Sequence, residues 1–149
     1  WFLVERMRPK DTQQRIPLKA RIGTSQPKLI EAVTLMETNI EEPLSPDDLA
    51  YHVGLSRRHL ERLFKKHLDS VPSRFYLQLR LDKARQMLRD TDRSIVEVGM
   101  ACGFSSASHF STTYRTHFNV TPRQERGRAT HVESAPSWNH SVVIQRRLD

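Results

Sequence analysis

One cysteine, Cys102, stands in 149 residues, so no disulfide framework can form within the chain. Long apolar runs are missing too. Even Trp1 to Val4, Val142 to Ile144 and, counting its glycines, Val98 to Phe104 fall far below the roughly 20 residues that a membrane-spanning helix needs. No signal peptide is recognisable, so a membrane is not an expected partner, and a reducing, cytoplasmic setting is the expectation. Glycine is scarce at five residues; with so strongly patterned a sequence, this argues against a β sandwich or barrel. Neither Cys-x-x-Cys nor His-Glu-x-x-His occurs, although there are seven histidines. The common zinc signatures are therefore absent, and no metal, cofactor or catalytic group is expected. Cys102 falls on the apolar face of a helical pattern, which reads as a buried structural thiol.

Basic residues number 24 and acidic residues 17, for a net charge of +7. The excess is uneven. Residues 1–27 hold six basic and two acidic residues, whereas residues 28–126 hold fifteen and thirteen. Net charge alone does not establish a nucleic-acid partner; the placement of the charges matters. Residues 1–27 read as the end of a preceding domain and a linker, and with Trp rather than Met first, a piece of a longer product is the expectation. Residues 28–126 read as one folded domain. Residues 127–149, with Ser, Pro, Asn and His and no sustained period, read as a disordered tail.

The middle section is helical throughout. Leu29, Val33, Met36 and Ile40 share one helical face. Ser45 caps a helix that opens with Pro46 and stops at Gly54. Ser56 caps the next, with Leu60, Leu63 and Phe64 inward. Pro72 opens a long helix whose apolar stripe is Leu77, Leu81, Ala84 and Leu88. Ser94 and Glu97 form a capping box ahead of Ile95, Val98 and Cys102. A helix over about Ser106–His117 turns Phe110, Tyr114 and Phe118 inward, and Thr121-Pro122 starts a last short turn of helix.

Two stretches repeat one another. Gly54-Leu55-Ser56, His59-Leu60, Phe64, His67 and Val71-Pro72 recur as Gly103-Phe104-Ser105, His109-Phe110, Tyr114, His117 and Thr121-Pro122. The offset is 49 residues before His59 and 50 from there on, which places one extra residue at the start of the second copy's second helix. Each copy is a helix-turn-helix: a small residue (Ala50, Gly99) admits the facing helix, a glycine makes the turn, and Leu60 or Phe110 packs one helix on the other. Opposite that packing face, the first copy carries Arg57, Arg58, Glu61, Arg62 and Lys65. Arg bonds guanine bidentately, Glu accepts from cytosine, and Lys neutralises phosphate. A solvated face with a Glu61–Lys65 pair is the plainer alternative. The second copy presents Ser106, Ala107, Ser108, Ser111, Thr112 and Arg115, mostly small groups suited to close approach to a groove; a poorly discriminating surface helix is the plainer alternative.

In Leu49-Ala50, Gly54-Leu55-Ser56-Arg57-Arg58-His59-Leu60-Glu61-Arg62-Leu63-Phe64-Lys65, Pro72-Ser73-Arg74-Phe75-Tyr76, Arg80-Leu81-Asp82-Lys83-Ala84-Arg85, Gly103-Phe104-Ser105 and His109-Phe110, the chain resembles the AraC/XylS family of bacterial transcription regulators over about Lys28 to Arg126. The resemblance implies an all-α domain of about seven helices, with two helix-turn-helix units joined by a long central helix. It implies double-stranded DNA and RNA polymerase as partners, and a small-molecule effector acting only through an N-terminal domain absent from this chain. By position it puts base contacts on Arg58, Glu61, Arg62, Ala107, Ser108, Ser111 and Thr112. Arg57, His59, Lys65, Lys66, His109 and Arg115 are then placed to meet phosphates. Phe2-Leu3, Gln14-Arg15-Ile16-Pro17-Leu18, Leu35-Met36-Glu37 and Ser108-His109-Phe110 resemble the branch whose N-terminal domain looks like a class I glutamine amidotransferase. The chain departs from the family at Asp69 and Asn119, where glycine is usual, and at Gly99, where alanine is usual and a looser second unit is expected.

Overall fold

The computed structural model describes Gly23 and residues 25–133, the last three by backbone alone. Most of the expected linker, residues 1–22, and the expected tail beyond Glu133 lie outside the described residues. Among the described residues, seven helices and no strands are found: α1 (Pro27–Thr38), α2 (Pro46–Val53), α3 (Arg57–Leu68), α4 (Pro72–Asp90), α5 (Ile95–Ala101), α6 (Ala107–Phe118) and α7 (Pro122–Glu133). None is long and apolar enough to cross a membrane.

Local chemistry sets the helix ends. The hydroxyls of Ser45, Ser56, Ser94 and Ser106 accept from the backbone N–H three residues on, satisfying a donor that the first turn leaves free. Ser94 and Glu97 complete a reciprocal capping box. Asp69 and Asn119 end α3 and α6 in the left-handed region, at φ of 48° and 61°. Short polar side chains tolerate that conformation better than other non-glycine residues.

The repeat is sharper in three dimensions than in sequence. α3 and α6 each have twelve residues and lie 50 positions apart from N-cap to C-cap. The extra residue is therefore Ser105, in the turn between Phe104 and the capping Ser106, rather than in the second helix itself. The turn absorbs it, and the helix registers remain matched.

Two apolar cores result. Leu29, Val33, Met36, Leu49, Leu60 and Phe64 build the first; Leu81, Leu88, Val98, Phe104, Phe110 and Tyr114 build the second. α4 serves both. Its predicted stripe enters the second core, but Phe75, Tyr76 and Leu79 form another apolar set that enters the first. Ile40 differs from expectation as well. It lies beyond the end of α1, in the loop after the Asn39 C-cap, and packs against both cores. The second unit is also not loose at Gly99: a Cβ there would lie 2.8 Å from the Phe110 ring. The missing methyl makes room for a side chain larger than Leu60.

The last helix is longer than a single turn. Thr121 and Gln124 cap it reciprocally, and it runs to Glu133. Its anchor is ionic. Glu125 is 1% exposed, accepts from Arg85 Nε and forms an ion pair with Arg89 Nη2 of α4 at 3.1 Å. Burial alone would raise its pKa, but the Arg85 hydrogen bond and the charges of Arg85 and Arg89 outweigh that and hold the carboxyl below its usual range. Arg126 donates to the carbonyls of Leu88 and Thr91 at the end of α4, where a cation is favoured.

Candidate nucleic-acid interface

α3 and α6 are the second helices of the two helix-turn-helix units, and their outward faces hold every expected contact residue. On α3, Arg57, Arg58, His59, Arg62, Lys65 and Lys66 are exposed and Glu61 is half-buried. On α6, Ala107, Ser108, His109, Thr112 and Arg115 are exposed and Ser111 is half-buried. The 50-residue register pairs Arg58 with Ser108, Glu61 with Ser111 and Arg62 with Thr112. The two helices thus offer the same positions in different chemistries, one charged and one small and polar.

The charges on α3 are not equally free. Arg57 Nε donates to Glu61 at 3.0 Å, and its Nη1 lies 3.5 Å from Asp47 of α2. The Glu61 hydrogen bond, then the Asp47 charge, raises the Arg57 pKa further. Glu61 is paired with Arg57 and not with Lys65. Lys65 instead bonds Asp69 at 2.7 Å, an exposed pair of little energetic weight. Arg58, Arg62 and Lys66 make no hydrogen bond or ion pair with another described side chain. Two long, unpaired guanidiniums on one helix face are ready for an external acceptor.

α6 is built differently. His109 sits 5.7 Å from Phe104, and Phe104 stacks at 5.1 Å on Phe110, so the aromatic turn supports the recognition helix from below. A groove of about 570 Å³ between α4 and α6 is lined by Arg74, Leu77, Leu81, His109 and Thr112, among others. Cys102 is fully buried, and burial pushes its thiol up to about 11, as suits a structural group. Among the described residues no cluster of three or more His, Cys, Asp or Glu is placed to hold a metal ion.

Arg80, Tyr76 and Phe104 stand out in the sequence only as parts of motifs. Tyr76 and Arg80 bond backbone atoms in distant loops, which no side-chain pattern announces.

A family model described as a helix-turn-helix domain matches residues 49–128. The crystal structure of a transcriptional regulator from Chromobacterium violaceum, described as an AraC-type DNA-binding domain-containing protein, is 68% identical, with a TM-score of 0.68, over 70% of this chain and 94% of that one. The chain belongs to the AraC family. Among its relatives in this family, the HTH-type transcriptional regulator ArgR of Pseudomonas aeruginosa is 58% identical over 84% of the chain, and GbdR of the same species 55% over 84%. The chain spans 38% and 34% of the length of these two relatives. The DNA-binding domain of AdpA, solved in complex with a target DNA, has a TM-score of 0.65 at 26% identity, over 68% of this chain and 92% of that one. The two helix-turn-helix units are thus the AraC-type DNA-binding domain of a transcription regulator.

Proposed function

We propose that this domain binds one face of double-stranded DNA by setting α3 and α6 into two successive major grooves, so that a single chain reads an asymmetric site. The carrying observation is the matched register of two twelve-residue helices, each N-capped by a serine and each exposing the same positions. On α3, Arg58 and Arg62 take guanine edges. Glu61 accepts from cytosine, once Arg57 exchanges it for a phosphate. On α6, Ala107 meets a thymine methyl, while Ser108, Ser111 and Thr112 bond base edges. Arg57, His59, Lys65, Lys66, His109 and Arg115 neutralise or bond phosphates. α4, with 19 residues, is about 28 Å long at 1.5 Å per residue, a scale compatible with the roughly 34 Å between grooves on one side of the duplex.

The binding domain on this reading is residues 28–126, with α7 continuing it to Glu133. Residues 1–27 lead back to a sensor domain of the amidotransferase-like branch, through which a small-molecule effector acts. RNA polymerase is the partner through which bound protein changes transcription in the cytoplasm. Selection of duplexes from a random pool with the 149-residue chain tests the reading. The expected winner is one asymmetric, bipartite motif whose halves lie about 10–10.5 base pairs apart. A palindrome, or a single short motif, contradicts it.

A further inference from the structure

The loop that leads into the first helix-turn-helix unit meets the turn of the second directly. A Cβ on Gly103, whose φ is +84°, would lie 2.6 Å from the Ile40 carbonyl oxygen and 2.7 Å from Pro43. The loop after α1 and the turn before α6 are therefore in close contact, and both are irregular backbone that needs other groups to hold it. Two side chains one turn apart on α4 do so. The Tyr76 hydroxyl donates to the Asn39 carbonyl and accepts from Leu44 N–H at 3.1 Å, fixing both ends of the 39–44 loop. Arg80 donates through Nε to the Cys102 carbonyl and through Nη2 to the Gly103 carbonyl, both at 2.8 Å. Its guanidinium also lies 4.4 Å from the centre of the Phe104 ring, within cation–π range.

Arg80 makes no ion pair among the described residues. It is a half-buried cation whose acceptors are the carbonyls just beyond α5, where the helix dipole favours positive charge. Only a planar fork reaches both carbonyls while lying on a ring. From there the contacts run through Phe104 to His109 and Phe110 of α6. The first unit lacks this arrangement. Leu55 stands at the position of Phe104, and among the described residues only Lys28 Nζ, at 3.9 Å, comes within 4 Å of a Cβ built on Gly54.

We propose that Tyr76 and Arg80 are positioning residues that lock the two units in one relative phase, so that the domain accepts only DNA whose half-sites have one fixed spacing. The proposal rests on the two-groove reading above. The second recognition helix is referenced to α4 through Arg80, and the first unit's loop to the same face of α4 through Tyr76. The second helix is therefore presented at a set rotation, and specificity extends to the length of the spacer that neither helix touches.

The test uses the 149-residue chain and the duplex it selects, in four forms: natural spacing, one base pair inserted between the halves, the second half scrambled, and the isolated first half. One inserted pair moves the second half by about 3.4 Å along the axis. Loss of register at even one base pair then weakens wild-type binding about tenfold or more. Tyr76→Phe, which removes only the hydroxyl, and Arg80→Gln, which removes the fork, are expected to shrink that spacing penalty by at least about threefold while leaving binding to the first half unchanged. Arg80→Lys is expected not to restore it. Retention of the full penalty by folded variants overturns the clamp. Equal losses on the full site and the first half also overturn it, because the pair would then support the whole domain and not its phase. If Arg80→Gln does not fold, Tyr76→Phe decides alone. If scrambling the second half costs wild type nothing, the two-groove reading fails, and the clamp with it.

Discussion

Gly99 and Phe110 fit together as a pair: a methyl group on Gly99 would meet Phe110 Cδ2 at 2.8 Å and Cγ at 3.0 Å. The corresponding residues of the first unit, Ala50 and Leu60, share its core. A larger residue on one helix is matched by a smaller one on the other. Gly99→Ala is therefore expected to destabilise the domain, by about 1–3 kcal/mol of overpacking, despite the better helix propensity of alanine. Adding Phe110→Leu should recover part of that loss. Urea unfolding of the two single variants and the double variant measures the coupling; additive effects would show that the residues do not compensate each other.

Glu125 gives a second prediction. Its folded pKa is depressed by Arg85 and Arg89, so its stabilisation is complete above the ordinary carboxylate range and is lost as pH falls through the lower folded value. Thermal stability should fall below about pH 4, less steeply in Glu125→Gln. Near neutral pH, Glu125→Gln should cost about 1–3 kcal/mol. Arg85→Ala with Arg89→Ala should cost more, about 3–5 kcal/mol, because it strands a buried carboxylate. The reverse order would show that the carboxylate is hydrated.

These two features mark where the sequence stops being legible. Ser45, Ser56, Ser94 and Ser106 announce their helices because capping is local chemistry. The two helix-turn-helix units show in sequence because Leu60 and Phe110 recur at fixed distance from their turns. By contrast, α7 has little apolar periodicity, and its anchor is a buried charge, which a search for hydrophobic stripes passes over. Ile40 fits the spacing of α1, but the helix stops at Thr38, and only packing reveals that it touches both cores. The placement of Ser105 in a turn follows from which serine caps α6, and Ser105 and Ser106 are adjacent and chemically identical. Arg58, Arg62 and the face of α6 are legible as exposed positions; the capture of Glu61 by Arg57 is not, since Lys65 offers an equally spaced partner.

Salt dependence follows from the cations on α3 and at the start of α4. Arg58, Arg62, Lys66 and the exposed Arg74 have no ionic partner among the described residues. If several meet phosphates or bases, log affinity should fall with log salt at about −0.9 per phosphate neutralised. A titration between about 50 and 200 mM salt measures the slope. A flat response would remove phosphate contacts from the account.

Division of labour on α3 is testable by substitution. Arg58→Ala and Arg62→Ala should each cost about 1–3 kcal/mol and relax preference at single base positions, whereas Lys66→Ala should weaken all sequences alike. Binding to a panel of single-base variants of the selected site reads both effects. Unchanged base preference in the Arg58 and Arg62 variants would make them phosphate contacts.

The central claim is that one chain carries two working recognition helices. Its most direct test is the binding stoichiometry of the 149-residue chain on the selected duplex, measured by calorimetry or native mass spectrometry. Duplexes with either half scrambled serve for comparison. One chain per duplex, with affinity reduced by scrambling either half, is the predicted result. Two chains per duplex, or indifference to the half assigned to α6, would contradict it.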